Sequence, residues 1–135
     1  MLEIGKDEVV YFPQGNVGIG EKNPQSKLAV NGTITAKEVV VSTEGWSDYV
    51  FKDDYKLMPL DELERSVRKN GHLPDIPSAE EVEKNGVSVG EMQAKLLQKI
   101  EELTLHVIEQ GKELRQVKSK NEMLEKQLAS LQHAE

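Results

Sequence analysis

Along the last third of the chain, apolar residues recur in alternating steps of four and three. The positions run Val89, Gln93, Leu96, Ile100, Leu103, Val107, Gln110, Leu114, Val117, Asn121, Leu124, Leu128 and Leu131; ten of the thirteen are apolar and three are Gln or Asn. A repeat sustained over more than five heptads predicts one long helix with an apolar seam, a coiled coil. At about 1.5 Å per residue the rod is roughly 65–70 Å long. A lone amphipathic helix is the simpler reading, but nothing else in the chain can cover so long a stripe. Ser88 and Glu91 have capping-box spacing and place the helix start. Leu97, Leu105 and Ile108 lie off the seam, all in the first half, and are expected to pack against the residues before the helix. Beyond Val117 only Met123 and two alanines leave the seam, so the second half reads as a free stalk. Gln93, Gln110 and Asn121 cost stability but fix register. Ile100 and Val107 alternating with Leu96 and Leu103 favour a dimer, whereas Leu114 followed by Val117 reverses that preference.

Upstream the period changes. Leu60, Leu63 and Val67 share one helix face, with Asp61, Glu62 and Glu64 early and Arg65, Arg68 and Lys69 late, matching the helix dipole. Asn70-Gly71 is a stop signal. Ser78 and Glu81 predict a second short helix with a capping box, ended by Asn85-Gly86. Nearer the N-terminus, short apolar pieces alternate with turn chemistry: Val9 to Phe12, then Val17 and Ile19, then Leu28, Val30, Ile34 and Ala36 with period 2, then Val39 to Val41. Asn31-Gly32 invites a two-residue hairpin, but that turn would put Ile34 on the wrong face. A three-residue loop or a corner in a continuing strand keeps the four apolar residues together. The expected organisation is a β region over 1–45, a small helical head over 46–87 and a coiled-coil helix over 88–135. The fold class is α+β.

Composition sharpens this picture. The chain has 135 residues, 37% of them hydrophobic, with only six aromatics, none beyond Tyr55. The β region is too thin to bury a core alone, which predicts that its strands intertwine with those of other chains. The 24 acidic residues outnumber 17 basic ones, a net charge of −7 that disfavours nucleic-acid binding. No apolar run approaches the length that spans a bilayer, and the N-terminal residues lack the pattern of a signal peptide. With no cysteine, disulfides and thiolate chemistry are excluded.

Candidate chemistry is sparse. Gly15, Gly18 and Gly20 suggest a phosphate loop, but the order is wrong and no P-loop lysine follows, so strand corners are the better reading. His72, His106 and His133 repeat no metal-ligand spacing. The carboxylate pairs Asp53-Asp54, Glu80-Glu81 and Glu101-Glu102 read as solvated surface. No cofactor or metal is expected. Ser47 stands five residues before Lys52, and a lysine of lowered pKa can activate a serine. The cluster Trp46, Tyr49, Phe51 and Tyr55 is expected to form the core of the head; exposure there would instead favour receptor or glycan binding.

Asn16-Val17-Gly18-Ile19-Gly20, then Asn23-Pro24, then Lys27-Leu28-Ala29-Val30-Asn31-Gly32 resembles the repeat unit of phage tail fibres and similar surface fibres, especially from Bacteroidota. Trp46 to Leu57, Gly71-His72-Leu73-Pro74-Asp75-Ile76-Pro77-Ser78, and Val87 through Leu103 resemble the C-terminal module of those fibres. The same stretch looks like a reduced relative of the intramolecular chaperone at the end of endosialidases and many tail spikes. That family has S-D-x-x-L-K at its self-cleavage point. Ser47, Asp48 and Lys52 match it, Phe51 replaces the Leu, and Val50 stands where a basic residue is common. Its later S-V-x-x-x-x-L-x-x-L-L pattern is echoed in part by Ser88-Val89 and Leu96-Leu97. The resemblance implies a homotrimer and a virion or cell-surface location. It implies a structural, non-enzymatic role in registering and capping three fibre chains, with an attachment surface as a further role. The partners are other copies, the rest of a fibre and a surface receptor or glycan, with no nucleic acid and no membrane insertion. Two alternatives stay open: a self-cleaving chaperone cut before Ser47, and the binding tip of an adhesin.

Overall fold

The computed structural model describes residues 3–4, 10–42 and 49–133. The chain is α+β, and it divides into two compact units, Met1–Val40 and Val41–Glu135.

In the first unit, β1 (Glu3–Ile4) pairs antiparallel with β2 (Val10–Tyr11). Strand β3 (Val17–Ile19) pairs with β4 (Leu28–Val30) in parallel, with Val17 opposite Leu28 and Ile19 opposite Val30. Parallel pairs usually need a crossover of a dozen or more residues. Here a short loop suffices because side chains staple it to its own start. Asn16 Nδ2 donates to the Pro24 carbonyl at 2.8 Å, and Lys27 Nζ donates to the Gly15 carbonyl at 3.2 Å. Gly15 and Gly20 flank β3 with φ of 81° and 70°, the strand-corner role read from the sequence. Gly18 permits a close approach, since a Cβ there would stand 2.0 Å from the Glu21 carbonyl oxygen.

Two strand expectations fail between residues 34 and 41. Ile34 to Ala36 and Val39 to Val41 form no strand, and Ile34, Val39 and Val40 are exposed. Isolated pieces of this length have no second strand to satisfy their backbone groups within one chain.

In the second unit, α1 (Leu60–Asn70) and α2 (Ala79–Asn85) precede α3 (Val89–Gln132). The first turn of α1 carries Asp61 and Glu62 and the last carries Arg68 and Lys69, and the helix stops at Gly71. Ion pairs Asp61–Arg65 and Glu64–Arg68 run along its solvent face at 3.1 and 2.7 Å. Ser78 opens α2 with a complete capping box. The same box expected at Ser88 is absent. Ser88 is the N-cap of α3, but its side chain makes no capping bond, and Glu91 pairs with Lys95 at 3.0 Å instead. Residues 46–87 and 88–135 lie within one unit, and the residues before α3 pack on the first half of that helix.

Candidate functional site

The head is tied to α3 by a connected set of polar side chains. Tyr49 Oη donates to Gln98 Oε1 at 2.7 Å. Gln98 Nε2 donates to Tyr55 Oη at 3.2 Å and to Glu102 Oε1 at 2.9 Å. The Tyr55 hydroxyl also donates to Glu102. Lys99 Nζ bridges Glu102 Oε2 at 2.9 Å and Asp75 Oδ2 at 3.1 Å. Asp75 is the only described residue other than glycine with positive φ, 65°, and that bend belongs to the loop that carries its carboxylate to Lys99. The Tyr49 and Tyr55 rings lie 5.8 Å apart, tilted by 46°.

The charges in this set reinforce one another. Burial pushes the Glu102 carboxyl up, but hydrogen bonds from Tyr55, Lys99 and Gln98 outweigh it and hold the carboxyl below the usual range. Burial pulls the Lys99 ammonium down, but its bonds to Glu102 and Asp75 win and hold it above the usual lysine value. Burial and the bond to Glu102 push the Tyr55 hydroxyl up.

Two expectations for this region are corrected. Glu101 and Glu102 are not a solvated pair: Glu101 is buried and Glu102 half-buried, because the head wraps that side of α3. Glu101 Oε2 has no hydrogen-bond partner. Of the aromatic cluster expected to form the core, Tyr55 is half-buried, but two members are not core. Tyr49 and Phe51 are exposed, and the one fully buried side chain among the described residues is Val50 between them. Trp46 and Ser47 lie outside the described residues; Lys52 is exposed.

The seam residues all lie on α3, and the head leaves them open. Within a heptad written a to g, Gln93, Ile100, Val107, Leu114, Asn121 and Leu128 are a positions, and Leu96, Leu103, Gln110, Val117, Leu124 and Leu131 are d positions. Exposure of the apolar seam side chains runs from 47% at Leu96 to 70% at Leu114. From Ala94 to His106 the half-buried or buried residues of the same helix are instead Ala94, Lys95, Leu97, Gln98, Lys99, Glu101, Glu102, Leu105 and His106. At 100° per residue these occupy the e, b, f, c and g directions, so the head embraces three sides of α3 and stops at the seam. Leu97 and Leu105 are half-buried, whereas Ile108, expected to pack with them, stays exposed.

On the g and c side a largely apolar groove of about 520 Å³ runs beside the seam. Leu57, Met58, Leu60, Leu63 and Leu73 form one wall, and Leu96, Ile100 and Leu103 form the other. Lys99, Glu102 and His106 mark its edge. Sequence periodicity finds the second wall but not the first, which requires α1 and the 73–75 loop to be folded onto α3. His72 bonds its neighbour's carbonyl region through Nδ1 at 3.0 Å from Leu73 O, and His133 caps the end of α3. Among the described residues no group of His, Asp and Glu is placed to hold a metal ion, and no helix is long and apolar enough to cross a membrane.

No family model, curated protein or solved structure matches this chain.

Proposed function

We propose that the chain is a homotrimeric structural module that registers and caps the end of a fibre, of the phage tail-fibre or cell-surface kind. The observation that carries this reading is the open seam. An apolar stripe from Val89 to Leu131 stays exposed although the head is folded against the same helix. A single chain in which Val50 is the one fully buried side chain among the described residues lacks the core that a domain of this size needs. Copies of the chain supply the missing cover. The resemblance of residues 16 to about 110 to fibre repeats and their C-terminal module favours three copies. Exposed Ile34, Val39 and Val40 fit the same reading, as strand pieces that complete their pairing between chains. The mechanism is local: a helical bundle that zips rapidly aligns three chains, so slow intertwined β pairing starts in register.

A second reading, an attachment tip, is supported by the exposure of Tyr49 and Phe51. It is compatible with the first.

The test is the native mass of the purified protein by light scattering, with a denaturing mass spectrum of the same sample. Intact chains in a trimer are expected. A monomer overturns the proposal, and chains cut between Trp46 and Ser47 replace it with a self-cleaving chaperone.

A further inference from the structure

We propose that the copies of α3 lie parallel and in register, and that the exposed Ile108, on the e and b edge of each copy just past its own head, closes the His106 end of the apolar groove on the g and c edge of the next. This rests on the self-association proposed above and specifies its geometry.

The flanking residues fit a parallel, in-register pairing, and the groove beside the seam selects it over an antiparallel one. In a parallel, in-register coil each g residue faces the e residue five positions on in its neighbour. Glu113 then faces Lys118, and Lys120 faces Glu125, two opposite-charge pairs of reversed polarity. None of these four residues makes an ion pair within its own chain among the described residues. Nearer the head Met92 faces Leu97, apolar against apolar. His106 faces Gly111, the one glycine past the first turn of α3. Within the chain Gly111 has room for a side chain, its nearest neighbour being Arg115 Nη1 at 3.9 Å from a built Cβ. Glycine in a helix interior is unfavourable, and the imidazole of the next copy gives a reason for it. An antiparallel arrangement can also oppose the four charges, but only the parallel one sets head beside head.

The groove fixes the second half of the proposal. It opens along the seam, since Leu96 and Ile100 belong to both, so a helix seated on the seam must pass over it. Viewed down the helix, the side that the next copy turns toward the groove carries e and b positions. There Ile108 is exposed at 49%, an off-seam apolar residue that its own head does not cover. Level with the His106 end of the groove, it meets the apolar wall of the neighbouring head.

The chain has no cysteine, so single cysteines report directly on register. Gln110→Cys should give a disulfide-linked pair of chains on oxidation, because identical d positions meet only in a parallel, in-register coil. Lys118→Glu should weaken association about tenfold or more by creating like-charge pairs, and Glu113→Lys added to it should restore association. Ile108→Glu should weaken association similarly, whereas Arg115→Glu, at the b position one heptad on, should not. An assembly of native mass in which Gln110→Cys does not cross-link overturns the register and leaves self-association standing. A cross-linked assembly indifferent to Ile108→Glu overturns the groove closure. A monomeric wild-type protein overturns both.

Discussion

Lys99 and Glu102 hold each other beneath the head: Nζ lies 2.9 Å from Oε2, one turn apart on α3, with only 12% and 18% of the two side chains exposed. Asp75 and Tyr55 reach the same pair from segments 24 and 47 residues away in sequence. Glu102→Gln therefore leaves a half-buried ammonium short of a counter-charge. The head should lose about 2 kcal/mol of stability, measured by chemical denaturation followed through tyrosine.

The same group gives the pH dependence. The Glu102 carboxyl is held low when folded, so its contribution is present above the unfolded value of about 4.3 and is lost as pH falls through the lower folded value. Lys99 and Tyr55 are held high, so theirs is present below the ordinary values of about 10 and lost as pH rises through the folded ones. Thermal melts should show a plateau at neutral pH and two falling edges. In Glu102→Gln the acid edge should be shallower.

The two capping serines should behave differently. Ser78→Ala removes the side-chain bond to the Glu81 amide and should cost about 1 kcal/mol. Ser88→Ala removes no capping bond and should leave the melting temperature close to that of the parent.

Glu101 buries a carboxylate oxygen that has no partner. Glu101→Leu removes the unpartnered polar oxygen and keeps an apolar side chain of similar length, so stability should rise by about 1 kcal/mol. A loss of stability in the denaturation curve would show that the oxygen is satisfied in the folded protein.

Charges placed in the seam beyond the head should separate assembly from folding. Leu114→Asp combined with Leu124→Asp removes two of the exposed seam residues, each worth roughly 1.5–3 kcal/mol when covered. Sedimentation should report a monomer, while the tyrosine circular dichroism of the head stays that of the parent.

Reading the chain alone was enough for every element whose cause is local. The ends of α1 and α2 follow from charge order, the Ser78–Glu81 box and the Asn-Gly stops, interactions that span three or four residues. The extent of α3 follows from a period that needs no partner to be visible. Local signals also mislead where the structure offers a competing bond: Ser88 and Glu91 have the spacing of a box, yet Glu91 turns to Lys95. Tertiary packing decided the rest. Which carboxylates are buried depended on how the head wraps α3, and Glu101 and Glu102 are adjacent acids like the exposed pair Asp53 and Asp54. The parallel pairing of β3 with β4 depended on side chains that staple one loop to itself. The groove exists only because Leu57 to Leu63 and Leu73 are brought opposite Leu96 and Leu103. Contacts between residues tens of positions apart carry no period, and burial is a property of the surroundings, so neither is written into a residue's immediate neighbours.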